Sequence, residues 1–428
     1  MRSSVHILLL LTLLSSVSFG QRISTDVPEY PYGMKPLERD QSIYWEGWRK
    51  VEVPFQYIND LIIVDIRLNN SAFPLKFIFD TGAEHTILTK VEIAHLLGMR
   101  YSRKFTIMGA DMKTELYAYL IQNVNLKLDK LYSPREAILV LEEDYFRFEE
   151  LAGVEIHGIL GASFFRRFVL EIDYLNEKIT FVKPRHFNKQ QKKYKSFDIE
   201  IFKNKPYLYA DMDMVGDSSQ QIKLLVDTGA SLPLLIYTDT DSSLTVPTNT
   251  IPGNVGRGLG GFLSGYRGRI RSLEFSDFEL GNVVTSFQES DSMSMAKVVL
   301  NDRNGILGNQ ILSRFEVIIH YWDEKMYLRP NKHYKDQFKY DRSGLVILAS
   351  GTELNEYTVQ RVLENSPAAE AGLQAGDVIK KLNGLPIGAL SMEGVNAVLQ
   401  KRVGKKIRIV VKRGSKRQKF IFRLRELI

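Results

Sequence analysis

The chain has 428 residues, 44% hydrophobic and 25% charged, which is typical of a globular protein with two or three domains. It contains no cysteine, which excludes disulfides, thiolate metal sites and cysteine nucleophiles, and its seven histidines form no HExxH motif or His-x-His pair. The formal net charge of +7 comes from the C-terminal part: from Lys335 onward, 18 Lys and Arg stand against 9 Asp and Glu. This excess favours either acidic partners or a solvated charged face.

Residues 1–20 have the pattern of a signal peptide. Arg2 precedes the apolar stretch 7–14, and the small residues Ser18 and Gly20 precede a cleavage point before Gln21. The stretch is too short to span a bilayer, and the alternative is a buried N-terminal helix. We expect an exported protein, periplasmic or secreted, in which residues 21–42 form a short N-terminal segment. No later segment predicts a membrane span.

Two predicted hairpins end in the same four letters. LIIVDIRL (61–68) and PLKFIFD (74–80) lead into DTGA at 80–83. YLYADMDMV (207–215) and IKLLVD (222–227) lead into a second DTGA, 147 positions later at 227–230. One such aspartate could be an ordinary turn residue, but two in register require another explanation.

The two sites belong to a longer internal repeat. Each DTGA aspartate is followed 81 residues later by the last glycine of a GILG segment, Gly161 or Gly308. A helix-like ASFFRRF (162–168) or NQILSRF (309–315) and two further strands follow each GILG. We therefore predict two copies of one mainly β domain, at 43–187 and 197–333, joined by the polar connector 188–196.

On these motifs, residues 43–333 resemble the retropepsin and pepsin group of aspartic proteases. The resemblance implies a two-lobed β-barrel domain and a catalytic pair, Asp80 and Asp227, that needs no metal or cofactor. Two carboxyl groups about 3 Å apart share one proton, so one can deprotonate a water while the other protonates the scissile carbonyl. The pair titrates as a unit, so neither role is given to one aspartate alone.

The resemblance also implies supporting roles around the pair. Thr81 and Thr228 would hydrogen-bond across the lobe interface, and Gly82 and Gly229 would let each backbone turn tightly and bring an N–H close to each carboxylate. The residues expected to pack beneath the loops are Ile159, Leu160, Gly161, Ile306, Leu307 and Gly308. Ala83 and Ala230 stand where pepsin-like enzymes commonly have serine. Loss of that hydroxyl should raise the pKa values of the pair, which predicts optimal activity between mildly acidic and near-neutral pH.

A substrate-covering flap is expected between each DTGA and its GILG. In the second copy GRGLGGFLSGYRG (256–268) predicts a mobile hairpin with Gly258, Gly260 and Gly261. In the first copy FTIMGADMKTELYAY (105–119) has one glycine, Gly109, with Tyr117 and Tyr119 as candidate covering residues. Residues 256–261 also satisfy GxGxxG, but no apolar strand precedes them and no helix follows, which argues against a dinucleotide site.

The C-terminal residues 341–428 have a different pattern. SPA (366–368), AGL (371–373), GDVI (376–379) and NG (383–384) resemble the PDZ family, as found in bacterial exported proteases. The letters predict a short helix with Pro367 at its first position, a turn at 383–384, a helix capped by Ser391 and a final hairpin. The resemblance implies an α+β module that binds an extended peptide, with Gly344, Leu345 and Val346 forming the carboxylate loop. The alternative is a module that only packs against the lobes.

The sequence thus predicts a monomeric, exported aspartic endopeptidase that acts on polypeptide substrates. Its fold is expected to be mainly β, with a duplicated acid-protease-type β-barrel domain followed by an α+β PDZ domain that binds a peptide or a protein C-terminus. No nucleic-acid partner is expected. Three alternatives remain: a protease-like protein without activity, a non-catalytic peptide-binding protein, and a PDZ adaptor on a protease-like scaffold.

Overall fold

The structure is a computed structural model that describes residues 48–108, 115–188, 192–214, 219–258, 261–289 and 303–428. The predicted signal peptide, the N-terminal segment 21–42 and two of the predicted flap glycines, Gly109 and Gly260, lie outside these ranges. Within them, each helix is too short or too polar to cross a lipid bilayer.

The first lobe is built from strands whose apolar side chains turn inward. In β1 the burial alternates residue by residue, with Val51 and Val53 inside, as expected for a strand with one solvated face. The longer LIIVDIRL strand is buried at most positions because both of its faces are covered. The elements of this lobe are β1 (Lys50–Pro54), β2 (Gln56–Ile58), β3 (Leu61–Leu68), β4 (Leu75–Phe79), β5 (Ile87–Leu88), α1 (Val91–Leu96), β6 (Tyr101–Met108), β7 (Glu115–Leu128), β8 (Leu131–Leu141), α2 (Phe148–Ala152), β9 (Gly158–Leu160), α3 (Ala162–Phe165), β10 (Val169–Asp173), β11 (Lys178–Val182) and a 3₁₀ turn (Pro184–His186).

The second lobe repeats this series of strands. Its first strand begins at Lys195, so the last two residues of the predicted connector are extended and paired. The elements are β12 (Lys195–Asp198), β13 (Glu200–Phe202), β14 (Lys205–Asp213), β15 (Ser219–Asp227), β16 (Leu234–Tyr237), a 3₁₀ turn (Thr238–Thr240), β17 (Ile251–Gly258), β18 (Gly261–Phe275), β19 (Phe278–Gln288), β20 (Gly305–Gly308), α4 (Asn309–Leu312), β21 (Phe315–His320) and β22 (Lys325–Pro330).

The two lobes have the same topology, strand for strand, over the described residues. The sheet of the first runs β2-β3-β4-β9-β5-β8-β7-β6, and that of the second runs β13-β14-β15-β20-β16-β19-β18-β17. A third sheet, β1-β11-β10-β21-β22-β12, crosses from one lobe to the other through the antiparallel pair β10–β21. In this sheet β1, β11 and β10 of the first lobe correspond to β12, β22 and β21 of the second, counted inward from the two edges. A pseudo-twofold axis between the lobes requires this symmetric order. The mainly β, duplicated fold predicted from the sequence is confirmed.

The C-terminal module has its own hydrophobic core. Ser366 caps a helix with Pro367 at its first position, and Ser391 caps the next helix through the Gly394 N–H at 3.1 Å. Asn383 and Gly384 both have positive φ, as the tight turn between the paired residues Leu382 and Leu385 requires. The elements are β23 (Leu345–Ser350), β24 (Glu356–Val362), α5 (Pro367–Glu370), β25 (Val378–Leu382), β26 (Leu385–Pro386), a 3₁₀ turn (Ile387–Ala389), α6 (Met392–Leu399), β27 (Lys406–Arg413) and β28 (Lys416–Arg423).

Candidate active site

Asp80 lies at the point where a buried strand opens into a loop. It follows β4, and its N–H donates to the Leu160 carbonyl of the parallel neighbour β9 at 3.1 Å. In the second lobe, Asp227 ends β15 and is paired with Gly308 of β20 in the same parallel arrangement. The GILG segments therefore lie beside the strands that carry the aspartates, which places the predicted packing residues next to the pair.

The glycines that close the two GILG segments allow each DTGA loop to pack closely. A Cβ on Gly161 would lie 2.3 Å from the carbonyl oxygen of His85, and a Cβ on Gly308 would lie 2.2 Å from that of Leu232. Real Cβ atoms essentially never come this close to backbone, so glycine is required at both positions. Ile159, Leu160, Ile306 and Leu307 are at most 1% exposed.

The two threonines of the DTGA loops interlock across the lobe interface. The N–H of Thr81 donates to Oγ1 of Thr228, and the N–H of Thr228 donates to Oγ1 of Thr81, both at 3.0 Å. Each hydroxyl also donates to a strand carbonyl of the opposite lobe, Val226 at 2.7 Å and Phe79 at 2.8 Å. These four bonds hold the loops in one arrangement, because breaking any of them would leave a buried polar group unpaired.

Each DTGA glycine faces the aspartate of the other lobe. A Cβ on Gly82 would lie 2.6 Å from Cγ of Asp227, and a Cβ on Gly229 would lie 2.4 Å from Cγ of Asp80. Neither glycine has a φ in the left-handed region. The sequence prediction explained these glycines by a tight turn. The structure adds a second reason, since the glycines also provide space for the opposite carboxyl group.

The aspartates have similar but unequal hydrogen-bond environments. Oδ1 of Asp80 accepts from the N–H groups of Gly82 at 2.7 Å and Ala83 at 2.9 Å, whereas Oδ1 of Asp227 accepts from Gly229 at 2.7 Å. Both Oδ2 atoms are buried and accept from no N–H group of the described residues, whereas the two carboxyl groups are hydrogen-bonded to each other. Such contact between two carboxyl groups requires that they share a proton.

The environment raises the pKa of both carboxyl groups. Burial, and after it the charge of Asp227, raise the pKa of Asp80 well above its usual range. Burial also raises the pKa of Asp227, to about 6, although contact with Asp80, the Gly229 N–H and the charges of Arg303 and Lys205 all act to lower it. The pair therefore keeps a shared proton at mildly acidic pH, and it titrates as a unit.

Two buried cations of the second lobe make the site asymmetric. Lys205 is paired with Phe202 as Leu61 is paired with Ile58 in the first lobe, so Leu61 is the equivalent of Lys205. Arg303 precedes β20 by two residues and donates to the hydroxyl of Tyr237 at 3.2 Å. Its first-lobe equivalent, two residues before β9, is the apolar Ile156. Burial, followed by the charge of Arg303, lowers the pKa of Lys205 to about 8.

Asn309 joins the lobes directly behind the site. Its Nδ2 donates to the carbonyl oxygens of Asp60 in the first lobe, at 2.9 Å, and Thr228 in the second, at 2.5 Å. The hydroxyl of Tyr174 donates to its Oδ1 at 2.6 Å. The equivalent first-lobe position is Ala162. Three residues of the site, Asn309, Lys205 and Arg303, were not predicted from the sequence, although each is a polar residue aligned with an apolar one in the other copy.

Comparisons with known proteins agree with this geometry. The family model described as aspartyl protease matches residues 64–164 and 214–311, which include both DTGA loops and both GILG segments. A PDZ domain model matches residues 358–413. The two lobes are an aspartyl protease-type domain, and the C-terminal module is a PDZ domain. The resemblances predicted from the sequence are thus confirmed for both parts.

Solved structures similar to this chain include two that cover about two thirds of it. Basic 7S globulin from soybean is 8% identical, covers 68% of this chain and 97% of its own, and has a TM-score of 0.42. The aspartic proteinase from Irpex lacteus is 13% identical over 67% of this chain and 99% of its own, with a TM-score of 0.41. The photosystem II D1 C-terminal processing protease is 25% identical over 20% of this chain and 23% of its own, with a TM-score of 0.19. A search of curated proteins gave no match.

The predicted flap segments of the protease-type lobes lie on antiparallel hairpins. β6 and β7 form the first, and β17 and β18 form the second, in which Gly258 is paired with Gly261. Gly109 and Gly260 lie outside the described residues. Tyr119 donates its hydroxyl to Glu142 at 2.7 Å, so its contact is with the residue that follows β8 in its own lobe. The GxGxxG motif begins at the end of β17 and ends at the first residue of β18, so it leads from one strand to another and not from a strand into a helix.

The predicted carboxylate loop of the PDZ domain lies just before its edge strand. Gly344, with φ of +82°, turns the chain into β23, whose first two residues are Leu345 and Val346. A Cβ on Gly344 would lie 2.2 Å from Cβ of Ser366, so only glycine fits. The N–H groups of Ser343 and Gly344 donate to Oδ1 of Asp341 at 3.0 and 2.7 Å.

Proposed function

We propose that this chain is an aspartic endopeptidase in which Asp80 and Asp227 activate a water molecule for attack on a peptide bond. One observation carries the proposal: each DTGA glycine faces the opposite aspartate so closely that a Cβ would overlap its carboxyl group. Two buried carboxyl groups that are hydrogen-bonded to each other and have raised pKa values match what general acid–base hydrolysis of an amide requires.

The asymmetry of the pair favours one distribution of roles at the start of the reaction. The nearby charges of Arg303 and Lys205 lower the pKa of Asp227 relative to Asp80. Asp227 would therefore begin as the carboxylate that takes a proton from water, and Asp80 as the acid that protonates the carbonyl oxygen. The water oxygen bonds to the carbonyl carbon and gives a tetrahedral diol. The C–N bond then breaks as the amide nitrogen gains a proton, which leaves a carboxyl and an amino terminus.

The rigid surroundings of the pair would supply much of the rate enhancement. The threonine interlock and the GILG strands fix the carboxyl positions before substrate arrives, which reduces the cost of orienting the reacting groups. Because both aspartates come from one chain, a monomer would suffice for catalysis. We expect unfolded or extended polypeptides as substrates, and the pattern at residues 1–20 suggests that the enzyme works in a periplasm or outside the cell.

Cleavage of unfolded casein tests the proposal. We expect wild-type protein to cleave casein at mildly acidic to near-neutral pH, and both Asp80→Asn and Asp227→Asn to lose at least about 10³-fold in kcat/KM. Asp211→Asn is the matched control, since it makes the same change on an exposed position of β14 in the second lobe. Its activity should equal that of wild type.

The outcome separates the proposal from its alternatives. If folded wild-type protein, verified by its cooperative unfolding, cleaves neither casein nor a digest of denatured proteins, the lobes are a non-catalytic scaffold. If both asparagine variants cleave as well as wild type, hydrolysis occurs without the pair and the assignment of the site is wrong.

A further inference from the structure

The PDZ domain is attached to the first protease-type lobe through a defined contact. Helix α2 of that lobe touches both β23 and α6 of the PDZ domain. Leu348 of β23 packs against the apolar cluster that contains Phe148 and Leu151 of α2. At the end of the helix, a Cβ on Gly153 would lie 2.8 Å from Cβ of Met392, the first residue of α6. The two surfaces are therefore in van der Waals contact, with no room for an added methyl group.

This contact involves the strand that a PDZ ligand needs. A PDZ domain binds an extended peptide by adding it to an exposed sheet edge. β23 is the terminal strand of its sheet and is paired with β24 on one side, so its other side is the edge available for addition. Since α2 packs on β23 and also reaches α6, an external peptide would have to displace it.

The loop at the start of this strand is also occupied from within the chain. In peptide-binding domains of this type, backbone N–H groups capture the terminal carboxylate of the ligand. Here the carboxylate of Asp341 takes the N–H groups of Ser343 and Gly344, together with the hydroxyl of Ser343 at 2.9 Å. The Gly344 carbonyl accepts from Leu363 at 2.8 Å. An internal carboxylate thus takes the N–H of Gly344, the first residue of the predicted carboxylate loop.

We propose that helix α2 of the first lobe is the resident occupant of the PDZ groove, defined here as the edge of β23 with α6 and the loop 341–344. In the resting molecule the domain is closed to external peptides and serves as an internal clamp on the protease-type lobe. The clamped helix shares its apolar cluster with Ile107 and Leu116, which lie on the two strands of the first flap. The clamp therefore supports the region that would cover substrate.

Because the chain has no native cysteine, a disulfide trap can test the docking cleanly. The pair Gly153→Cys and Met392→Cys would place two Cβ atoms close to the separation of about 3.5–4.5 Å that a disulfide needs, after a small outward relaxation. Gly98→Cys with Met392→Cys is the matched control: Gly98 has φ of +61°, close to the +67° of Gly153, but its Cβ would meet nothing within 4 Å. Under mild oxidation the first pair should form a disulfide, so that neither thiol reacts with maleimide. The control pair should keep both thiols reactive. Equal labelling of the two pairs would overturn the proposal.

Peptide binding to the trapped form separates docking from occupation of the groove. The probe is a fluorescein-labelled pool of random decapeptides with a free C-terminal Leu, Val or Ala, followed by anisotropy. No saturable binding to the oxidised trap supports the proposal, whereas saturable binding equal to that of the reduced form shows that α2 lies outside the groove.

Hydrogen exchange of the unmodified chain provides a second measurement if the cysteine variants fold poorly. We expect the amides of β23 and α2 to exchange slowly in wild type, and Gly153→Ala to accelerate both at least about 10-fold, while Gly98→Ala leaves both unchanged. Rapid exchange along β23 in wild type would contradict the clamp. These measurements do not require hydrolysis, so their failure is distinct from failure of the proposed protease function.

Discussion

Substitution of Gly82 by alanine tests the facing arrangement of the aspartates most directly. The new Cβ would lie 2.6 Å from Cγ and 2.7 Å from Oδ2 of Asp227, whereas ordinary contacts lie between 3.4 and 4 Å. One group must therefore move by about 1 Å, and displacement of a catalytic group by this amount costs about 10²-fold in rate. The fixed threonine interlock prevents easy relaxation of the loop, so overpacking should also lower the free energy of unfolding by about 1–3 kcal/mol.

Two measurements on the same variant check this reasoning. Steady-state cleavage of a fluorogenic peptide selected from casein fragments should give a kcat about 10²-fold lower, and urea unfolding should show the loss of stability. Gly281→Ala is the control, because its Cβ would approach the Arg271 carbonyl at 3.9 Å, an ordinary contact, and its φ is also outside the left-handed region. A Gly82→Ala protein with the stability and kcat of Gly281→Ala would show that the carboxyl group of Asp227 does not face Gly82.

Three further predictions concern the loops and the ionisation of the pair. Thr81→Val should lower the free energy of unfolding by about 1–3 kcal/mol for each buried group that loses its partner, among them the Thr228 N–H. The control Thr89→Val should cost little, because the Thr89 hydroxyl is buried with no partner among the described residues. Chemical denaturation of both variants measures the difference. The folded-state pKa of Asp227 is about 6, above the usual 3.8, so its contribution to stability is complete below pH 4 and is lost as the pH rises through 6. Wild type should therefore lose more stability than Asp227→Asn between pH 4 and 7 in thermal melts, and parallel curves would contradict the raised pKa. Lys205→Met removes a charge that lowers the pKa of Asp227, so the acidic limb of the kcat/KM–pH profile should move to higher pH; a shift to lower pH would reverse the assigned effect.

The sequence predicted the parts of the fold that are encoded locally. The hairpins leading to Asp80 and Asp227 are continuous apolar strands, and their exact repeat reveals the duplication because 81 residues separate each aspartate from its GILG glycine. The observed strand Leu61–Leu68 agrees with the predicted limits because polar residues bound this segment.

The interactions missed by the sequence analysis join residues that are distant along the chain. Asn309 is 249 residues from Asp60, and its role depends on the orientation of the lobes. Lys205 resembles a surface residue in its local sequence, yet the fold buries it beside the second aspartate. The contact of α2 with the PDZ domain could not be predicted either, because α2 has five residues and an ordinary amphipathic composition.

The sheet that crosses between the lobes has a consequence for how the chain could be divided. β10 and β21 are paired at five positions, from Val169 with His320 to Asp173 with Glu316, so the halves adhere through backbone bonds as well as side chains. A polypeptide cleaved between Asn188 and Lys192 would retain the pairing of β10 with β21. Two complementing fragments, expressed separately and mixed, should therefore reassemble into one particle, as two subunits would before their genes were joined.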